Sequence, residues 1–384
     1  MSDELARLFN AFDRGRISRR QLLQALGIAV AAAPVAALAQ GAQGRRRGGR
    51  ERAPLDTKPA KLPFKSTGWK TVLLDHITYE VDNASREAAY YNALMNWGVR
   101  SDTGKEAVLD IGDWGGMVIK AGYTAPPPTA EEKAQYARFQ AQAKAHGQNL
   151  PPLTPVNAKF TNFAWGIEPW DAKAVEAALK ERGLNPVAEN HGKEFESFHV
   201  KDPDGFDVQV TNGNKNNRRR TPAHGKAMAP APFPHTDWKT VWLDHISFEV
   251  PDYKQSVAFY EALLGWKSGE DTGNQNQVEA GDVGDLIIRS FNRPGAPPRK
   301  GVNIGHIAFG IQPFDPDQVK AELEKRGLPA RVDTGNTGSD IHTAEYKSYH
   351  TKTPSGWDLQ ISATTKANRN AGAVATKPTK GPGL

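Results

Sequence analysis

Apolar and polar residues alternate with period two along several short segments, and each leading segment is followed by an amphipathic stretch with helical spacing. A turn-rich region with three short strand-like runs then follows. This order, one strand, one helix and three strands, occurs four times. The pattern predicts helices over residues 84–95, 171–182, 254–264 and 315–326. It therefore predicts an α+β protein built from four βαβββ units.

The four units form two copies of one larger segment. Residues 69–81 read WKTVLLDHITYEV and residues 238–250 read WKTVWLDHISFEV, with ten identities in thirteen positions at an offset of 169. The second unit of each copy begins with a matching pair, FTNFAWGI at 160–167 and IGHIAFGI at 304–311. An internal duplication of this size predicts two tandem domains whether or not both perform chemistry.

Segments without apolar periodicity separate these domains and flank them. A run from 123 to 158 containing Pro126-Pro127-Pro128 is expected to form a helical insertion. The predicted organisation is a signal peptide (1–39), a flexible basic arm (40–67), the first domain (68–211), a linker (212–235), the second domain (236–362) and a disordered tail (363–384).

The charge distribution argues against a nucleic-acid partner. The chain carries a net charge of +6, but the basic excess lies in the arm, the linker and the two ends. The predicted domains hold 27 Lys and Arg against 38 Asp and Glu, so they are acidic. The chain has no cysteine, which excludes disulfides, thiolate metal ligands and a cysteine nucleophile.

An export signal is predicted at the N-terminus. Ser18-Arg19-Arg20-Gln21-Leu22-Leu23 opens an apolar run over 22–39, and Ala37-Leu38-Ala39 places small residues at positions −3 and −1 of a cleavage site. This pattern resembles a twin-arginine signal, with an N-terminal anchor helix as the alternative. The resemblance implies the twin-arginine export machinery as a partner, a periplasmic or secreted protein, and no membrane anchoring after cleavage.

The four βαβββ units in two pairs, with histidines at the start of leading strands and a Pro-x-Gly turn before the last strand, resemble the vicinal oxygen chelate superfamily. This superfamily includes glyoxalase I, extradiol ring-cleaving dioxygenases and bleomycin-resistance proteins. The resemblance covers about residues 68–362. It implies a glyoxalase-like fold in which each pair of units forms a cup-shaped sheet around a site.

Strand alternation predicts which side chains face the second cup. Along 243–250, Ile246, Phe248 and Val250 form one apolar face, which places His245 on the other face with Ser247 and Glu249. The same reasoning places His306 and Gln360 opposite the apolar faces of their strands. If the apolar faces pack against helices, His245, His306 and Gln360 point into one cup.

The resemblance implies that these three residues hold a divalent metal, Fe(II) or Mn(II), in the second domain. Gln360 stands where the family usually has Glu, and the remaining ligand position, near Ile288, is apolar. This favours the three-ligand arrangement of extradiol enzymes over the four-ligand site of glyoxalase I. In the first domain His76 and Gln209 match His245 and Gln360 but Asn162 replaces His306, so a structural role is expected there.

A second motif also resembles extradiol dioxygenases. Residues 342–360 read HTAEYKSYHTKTPSGWDLQ, and Thr353-Pro354-Ser355-Gly356 matches the family turn before the last strand. His350 stands where a catalytic Tyr is usual, and His342 lies one residue from a further histidine of the family site. The resemblance therefore implies His342 and His350 as catalytic residues that move protons.

Three functions remain open from the sequence. The first is an exported metal-dependent enzyme of extradiol type that acts on a small, catechol-like substrate with vicinal oxygens. The second is a glyoxalase-like lyase or isomerase that uses a divalent metal. The third is a metal-free periplasmic module that binds a small molecule.

Overall fold

A computed structural model describes residues 57–145, 153–191, 194–216, 223–269, 271–290, 301–335 and 339–369. The predicted signal peptide, the start of the basic arm and the end of the tail lie outside the described residues. A compact unit of its own includes residues 126–155, and its described part contains helix Ala130–Ala145. The remaining described residues form a second compact unit, which contains both sheets.

The first half of the chain, residues 68–211, forms an eight-stranded sheet of two βαβββ units. Its strands are β1 (Lys70–Val81), β2 (Gly98–Asp102), β3 (Glu106–Ile111), β4 (Gly115–Ala121), β5 (Ala158–Glu168), β6 (Val187–His191), β7 (Phe195–Lys201) and β8 (Asp207–Thr211). The strand order is β2-β3-β4-β1-β5-β8-β7-β6. The leading strands β1 and β5 are antiparallel neighbours at the centre, and each has the last strand of its own unit as a parallel neighbour.

The second half, residues 236–362, repeats this sheet. Its strands are β9 (Lys239–Val250), β10 (Lys267–Ser268), β11 (Gln275–Glu279), β12 (Gly284–Ser290), β13 (Asn303–Gln312), β14 (Arg331–Asp333), β15 (Ser348–Lys352) and β16 (Asp358–Ser362). The order β10-β11-β12-β9-β13-β16-β15-β14 is that of the first sheet. The predicted α+β fold with two cup-forming pairs of βαβββ units is therefore confirmed.

The helices of the four βαβββ units begin and end within one residue of the predicted positions, and one further helix lies in the predicted insertion. They are α1 (Ala84–Met95), α2 (Ala130–Ala145), α3 (Ala172–Glu181), α4 (Tyr253–Leu264) and α5 (Pro316–Lys325). An Asn or Asp side chain caps the first turn of each helix except α2 by accepting a backbone N–H, and these residues are Asn83, Asp171, Asp252 and Asp315. In the described part of the chain, no helix is long and apolar enough to cross a membrane.

The apolar faces of both sheets contribute to one core. Ile246, Phe248 and Val250 of β9 are fully buried, as their alternation predicts. Aromatic rings join the two halves across this core: Phe163 lies 6.2 Å from Phe248, and Phe160 lies 4.5 Å from Trp357, measured between ring centroids. Burial of this shared face leaves the opposite, more polar face of each sheet as the cup.

Two matching hydrogen-bonded joints also connect the halves. In one, Ser355 donates its hydroxyl to buried Glu87 of α1 over 2.8 Å. In the other, Ser256 of α4 donates its hydroxyl to Asp204 over 2.6 Å. The turn Thr353-Pro354-Ser355-Gly356, which resembles an extradiol motif, thus contacts the other half of the chain. Gly356 has φ 81°, a conformation that glycine adopts at little cost.

Candidate metal centre

A row of polar side chains crosses the concave face of the second sheet. His245 on β9 is the cross-strand partner of Asp285 on one side and Ala308 on the other, Ala308 is the partner of Gln360, and Gln360 is the partner of His350. Directly opposite residues share a face of a sheet. The predicted orientation of His245 and Gln360 toward one cup is therefore confirmed by the strand register.

The two predicted histidine ligands meet in this cup. The Nε2 atoms of His245 and His306 lie 2.9 Å apart, with the rings nearly perpendicular at 82°. The register of β9 skips Asp244 on both of its neighbours, which makes Asp244 the extra residue of a β-bulge directly before His245. Asp244 Oδ1 then lies 3.3 Å from His245 Nδ1, on the side of the ring away from His306.

Gln360 presents its amide nitrogen to neighbouring side chains and leaves its oxygen unpaired. Nε2 donates to the Ser348 hydroxyl over 2.7 Å, to the Tyr346 hydroxyl over 3.0 Å and to Asp333 Oδ2 over 3.5 Å. Oε1 is buried and has no hydrogen-bond partner among the described residues. A buried amide oxygen without a partner carries a desolvation cost that a bound cation or donor would remove.

The first half satisfies the same amide completely. Gln209 donates through Nε2 to Ser197 over 2.9 Å, and its Oε1 accepts from Asn162 Nδ2 over 2.9 Å. Asn162 occupies the position of His306. Asn162 therefore donates a hydrogen bond to Gln209 Oε1, whereas the matching oxygen of Gln360 has no partner among the described residues. This difference fits the structural role predicted for His76, Asn162 and Gln209.

The electrostatics of the cup keep His306 neutral. Burial, followed by charge interactions with His350 and His245, holds the pKa of His306 well below its usual value. A neutral imidazole has a lone pair for a cation. The pKa of Asp244 is also lowered. Burial would raise it, but the interaction with His245 holds it below the ordinary value.

These three side chains fit a divalent metal as a neutral donor set. Two nitrogens bound about 2.0–2.1 Å from one ion at a right angle lie about 3 Å apart, which matches the His245 to His306 spacing. In the described part of the chain, no three His, Cys, Asp or Glu residues group so as to hold a metal. A site here therefore needs the Gln360 oxygen as its third protein donor, and lacks an anionic ligand.

His350 reaches the site, but its ring nitrogens are engaged. The ring lies 4.9 Å from that of His306, with Nδ1 3.0 Å from Asp358 Oδ1 and Nε2 3.1 Å from Asp333 Oδ2. Burial would raise the pKa of Asp358, but His350, Arg331 and Lys352 lower it far below the usual range. His350 thus packs beside His306 with both of its ring nitrogens already facing carboxylates.

The structure does not bring His342 to these residues. His342 follows Asp340 in a turn, its side chain is 52% exposed, and its Nε2 lies 3.7 Å from Asp317 Oδ1 on α5. Among the described residues it makes no contact with His245, His306 or Gln360. The one-residue displacement of His342 from the family position is the sequence signal for this difference.

The structure corrects the residue predicted for the apolar fourth position. Ser247 has Ile287, not Ile288, as its partner on β12, so Ile287 faces the cup and Ile288 faces the core. Ile287 is apolar, so the three-ligand expectation is unchanged. Two residues earlier, the register places Asp285 beside His245. Sequence reasoning missed this acidic residue, although strand parity would have placed it on the cup face.

Asp285 should make stability depend on pH. Burial raises the pKa of Asp285 to about 7, against an opposing hydrogen bond from Gln277. Since an unfolded Asp titrates near 4, its stabilising contribution is complete below about pH 4 and is lost as pH rises to about 7. Asp285→Asn should therefore stabilise the chelator-treated protein at pH 8 by on the order of 3 kcal/mol, with a smaller gain at pH 5.

Urea denaturation at both pH values measures this difference. Asp282→Asn is the matched control, because the Asp282 side chain is 70% exposed. An equal gain at pH 5 and pH 8 would show that Asp285 does not titrate as its burial implies.

Gln360 should control metal affinity. Gln360→Leu removes the amide oxygen and should weaken binding at least tenfold. Gln360→Glu adds an anionic oxygen and should tighten metal binding about ten- to hundredfold. The second carboxylate oxygen of the Glu side chain would replace the amide donor near Asp333, so the variant should be less stable without metal. A competitive chelator titration measures both effects. Gln209→Glu, in the first half, is the control and should leave affinity unchanged; equal affinities for all variants would remove Gln360 from the site.

The fold defines the class of protein that this chain resembles. Residues 242–361, under a third of the chain, match the model of the Glyoxalase/Bleomycin resistance protein/Dioxygenase superfamily. A solved variant of homoprotocatechuate 2,3-dioxygenase from Brevibacterium fuscum superimposes with a TM-score of 0.50 and 16% identity, covering 81% of this chain and 75% of that chain. At this identity the similarity shows the two-domain fold.

Other solved structures have similar scores. A catechol 2,3-dioxygenase gives a TM-score of 0.49 at 15% identity, with 76% of this chain and 88% of that chain covered. The Mn(II)-bound glyoxalase from Novosphingobium aromaticivorans gives 0.49 at 13% identity, with coverages of 77% and 82%. No curated protein matches this sequence.

Proposed function

We propose that the second half holds one divalent metal ion, Fe(II) or Mn(II), through His245, His306 and Gln360. We further propose that the protein is a metal-dependent enzyme of extradiol dioxygenase type. The observation that carries this proposal is the 2.9 Å approach of two imidazole Nε2 atoms in a cup where the Gln360 oxygen has no partner. In the first half, where Asn162 fills that contact, we expect no metal.

A divalent metal held by His245, His306 and Gln360 would supply a Lewis acid with open positions for substrate oxygens and for dioxygen. The chain supplies the rest. Asp244 places a carboxylate oxygen 3.3 Å from His245 Nδ1, behind the ring, without a well-aligned hydrogen bond. Tyr346 donates to Asp244 Oδ2 over 2.8 Å and accepts from Gln360, so it ties the two ligand-bearing strands together.

The charge of the site favours an anionic substrate. Three neutral ligands would leave the full charge of a divalent ion uncompensated. A substrate that is already anionic, such as a catecholate, would reduce this charge. We assign no proton transfer to His350, since both of its ring nitrogens already face carboxylates.

Metal content and oxygen uptake test the proposal. The full chain, loaded anaerobically with Fe(II) or Mn(II) and mixed with catechol in air, should consume oxygen and form a ring-cleaved product. Chelator-treated protein should do neither. Metal binding without oxygen uptake would overturn the dioxygenase assignment in favour of a glyoxalase-like lyase or isomerase. Failure to bind metal would replace both with a metal-free binding module.

We also propose that the twin-arginine pathway exports the protein to the periplasm or beyond. The support is the Arg19-Arg20 pair with its apolar run and small-residue end. The intact mass of the exported protein should correspond to a start near Gln40, and Arg19→Lys with Arg20→Lys should leave precursor in the cytoplasm. Unchanged processing of the double variant would contradict this route.

A further inference from the structure

An arginine whose Nε has no hydrogen-bond partner among the described residues lies in the second cup. Arg289 is on β12, where it pairs in register with Glu249 of β9 and Gln275 of β11. It lies two and four residues after Ile287 and Asp285, so it shares their concave face. Its partner Glu249 lies two residues after Ser247, the cross-strand partner of His306, so Arg289 and His306 flank the same stretch of β9.

Arg289 makes no hydrogen bond or ion pair with any described residue. Its Nε is buried without a partner, and burial lowers the pKa of its guanidinium. The nearest opposite charges are engaged elsewhere: Glu249 Oε2 accepts from Asn303 over 2.8 Å, and Asp333 Oδ2 faces His350. A partly buried arginine whose Nε has no acceptor among the described residues is costly to the fold, and this cost decreases when an anion pairs with it.

The first half provides the comparison. β4 and β12 align along their lengths, and Lys120 occupies the position of Arg289. Lys120 is exposed, so its ammonium stays hydrated. The partly buried, unpaired guanidinium therefore occurs only in the copy of this position that faces the His245 and His306 pair. A guanidinium can bind a carboxylate through two parallel hydrogen bonds.

We propose that Arg289 forms an anion subsite in the second cup, which binds the carboxylate of a small substrate whose vicinal oxygens lie at the His245 and His306 centre. The substrate class is thus a catechol or related vicinal-oxygen compound that carries a carboxylate. This assignment of substrate class rests on the proposed function. The anion subsite itself depends on Arg289 alone.

Three probes separate the two parts of this proposal. Benzoate has only the carboxylate, catechol has only the vicinal oxygens, and 3,4-dihydroxybenzoate has both. Isothermal titration calorimetry of the metal-loaded full chain at low salt should show that 3,4-dihydroxybenzoate binds at least tenfold more tightly than catechol. Arg289→Gln should abolish this difference, weaken benzoate at least tenfold and leave catechol binding unchanged. Arg289→Lys should retain part of the benzoate affinity.

Lys120→Gln is the matched control and should bind all three probes as the unchanged protein does. Equal benzoate affinity in the unchanged protein and Arg289→Gln, with both folded by circular dichroism, would overturn the anion subsite. If benzoate binding depends on Arg289 but catechol does not bind, the proposed function fails and the subsite stands. If catechol binds and benzoate does not, the subsite fails and the proposed function stands.

Discussion

His306→Ala should abolish metal binding, because it removes one of two imidazole donors from a site with no anionic ligand to compensate. The unchanged protein should bind about one equivalent of metal per chain, through the second half alone. We expect at least a hundredfold loss of affinity, since two neutral oxygen or nitrogen donors hold a divalent ion poorly. Metal analysis after dialysis, together with a chelator competition, measures both stoichiometry and affinity.

The internal duplication supplies the control. His76 occupies the position of His245 in the first half, and its Nδ1 lies 2.7 Å from Asp75 Oδ1. His76→Ala should leave both affinity and stoichiometry unchanged, because Asn162 has taken the place of the second imidazole and is hydrogen-bonded to Gln209. Two equivalents of metal, each lost on mutation of a different half, would contradict the asymmetry that the structure shows.

The sequence predicts the cup because strand parity is a local property. Alternation with period two places His245 opposite Ile246, and only a shift of register or a bulge can change which face a side chain occupies. The helices of the four units lie within one residue of their predicted bounds because helical spacing of apolar residues is also a local property. These rules place His245, His306 and Gln360 on one face without any knowledge of tertiary contacts.

Contacts between distant strands decide what these residues can do, and no local pattern contains them. The bulge at Asp244 depends on the registers of two neighbouring strands. The contact of His350 Nε2 depends on Asp333, which lies at the end of β14 in the segment after α5. The turn at Ser355 contacts Glu87, which lies 268 residues earlier. The resemblance of this turn to an extradiol motif does not indicate the contact with Glu87.

Glu87→Ala should strongly destabilise the folded chain, because Glu87 is the buried acceptor for several hydrogen bonds at one joint between the halves. Glu87 is completely buried, accepts from Tyr79 over 2.9 Å, and accepts from both the hydroxyl and the backbone N–H of Ser355. Its loss leaves these buried donors without an acceptor and opens a cavity. We expect a decrease in the free energy of unfolding of about 3–4 kcal/mol, measured by urea denaturation. Glu106→Ala, at an exposed position on β3, should change it by less than about 0.5 kcal/mol.

The second joint provides a rescue that tests the physical reason for this loss. There the carboxylate is on the turn, at Asp204, and the hydroxyl is on the helix, at Ser256. Combining Glu87→Ser with Ser355→Asp transfers that arrangement to the first joint. If one carboxylate facing one hydroxyl across the halves is what stabilises the joint, the double variant should be more stable than either single variant, with a coupling energy of about 1–2 kcal/mol. Additive losses in the double variant would show instead that Glu87 acts through its packing volume.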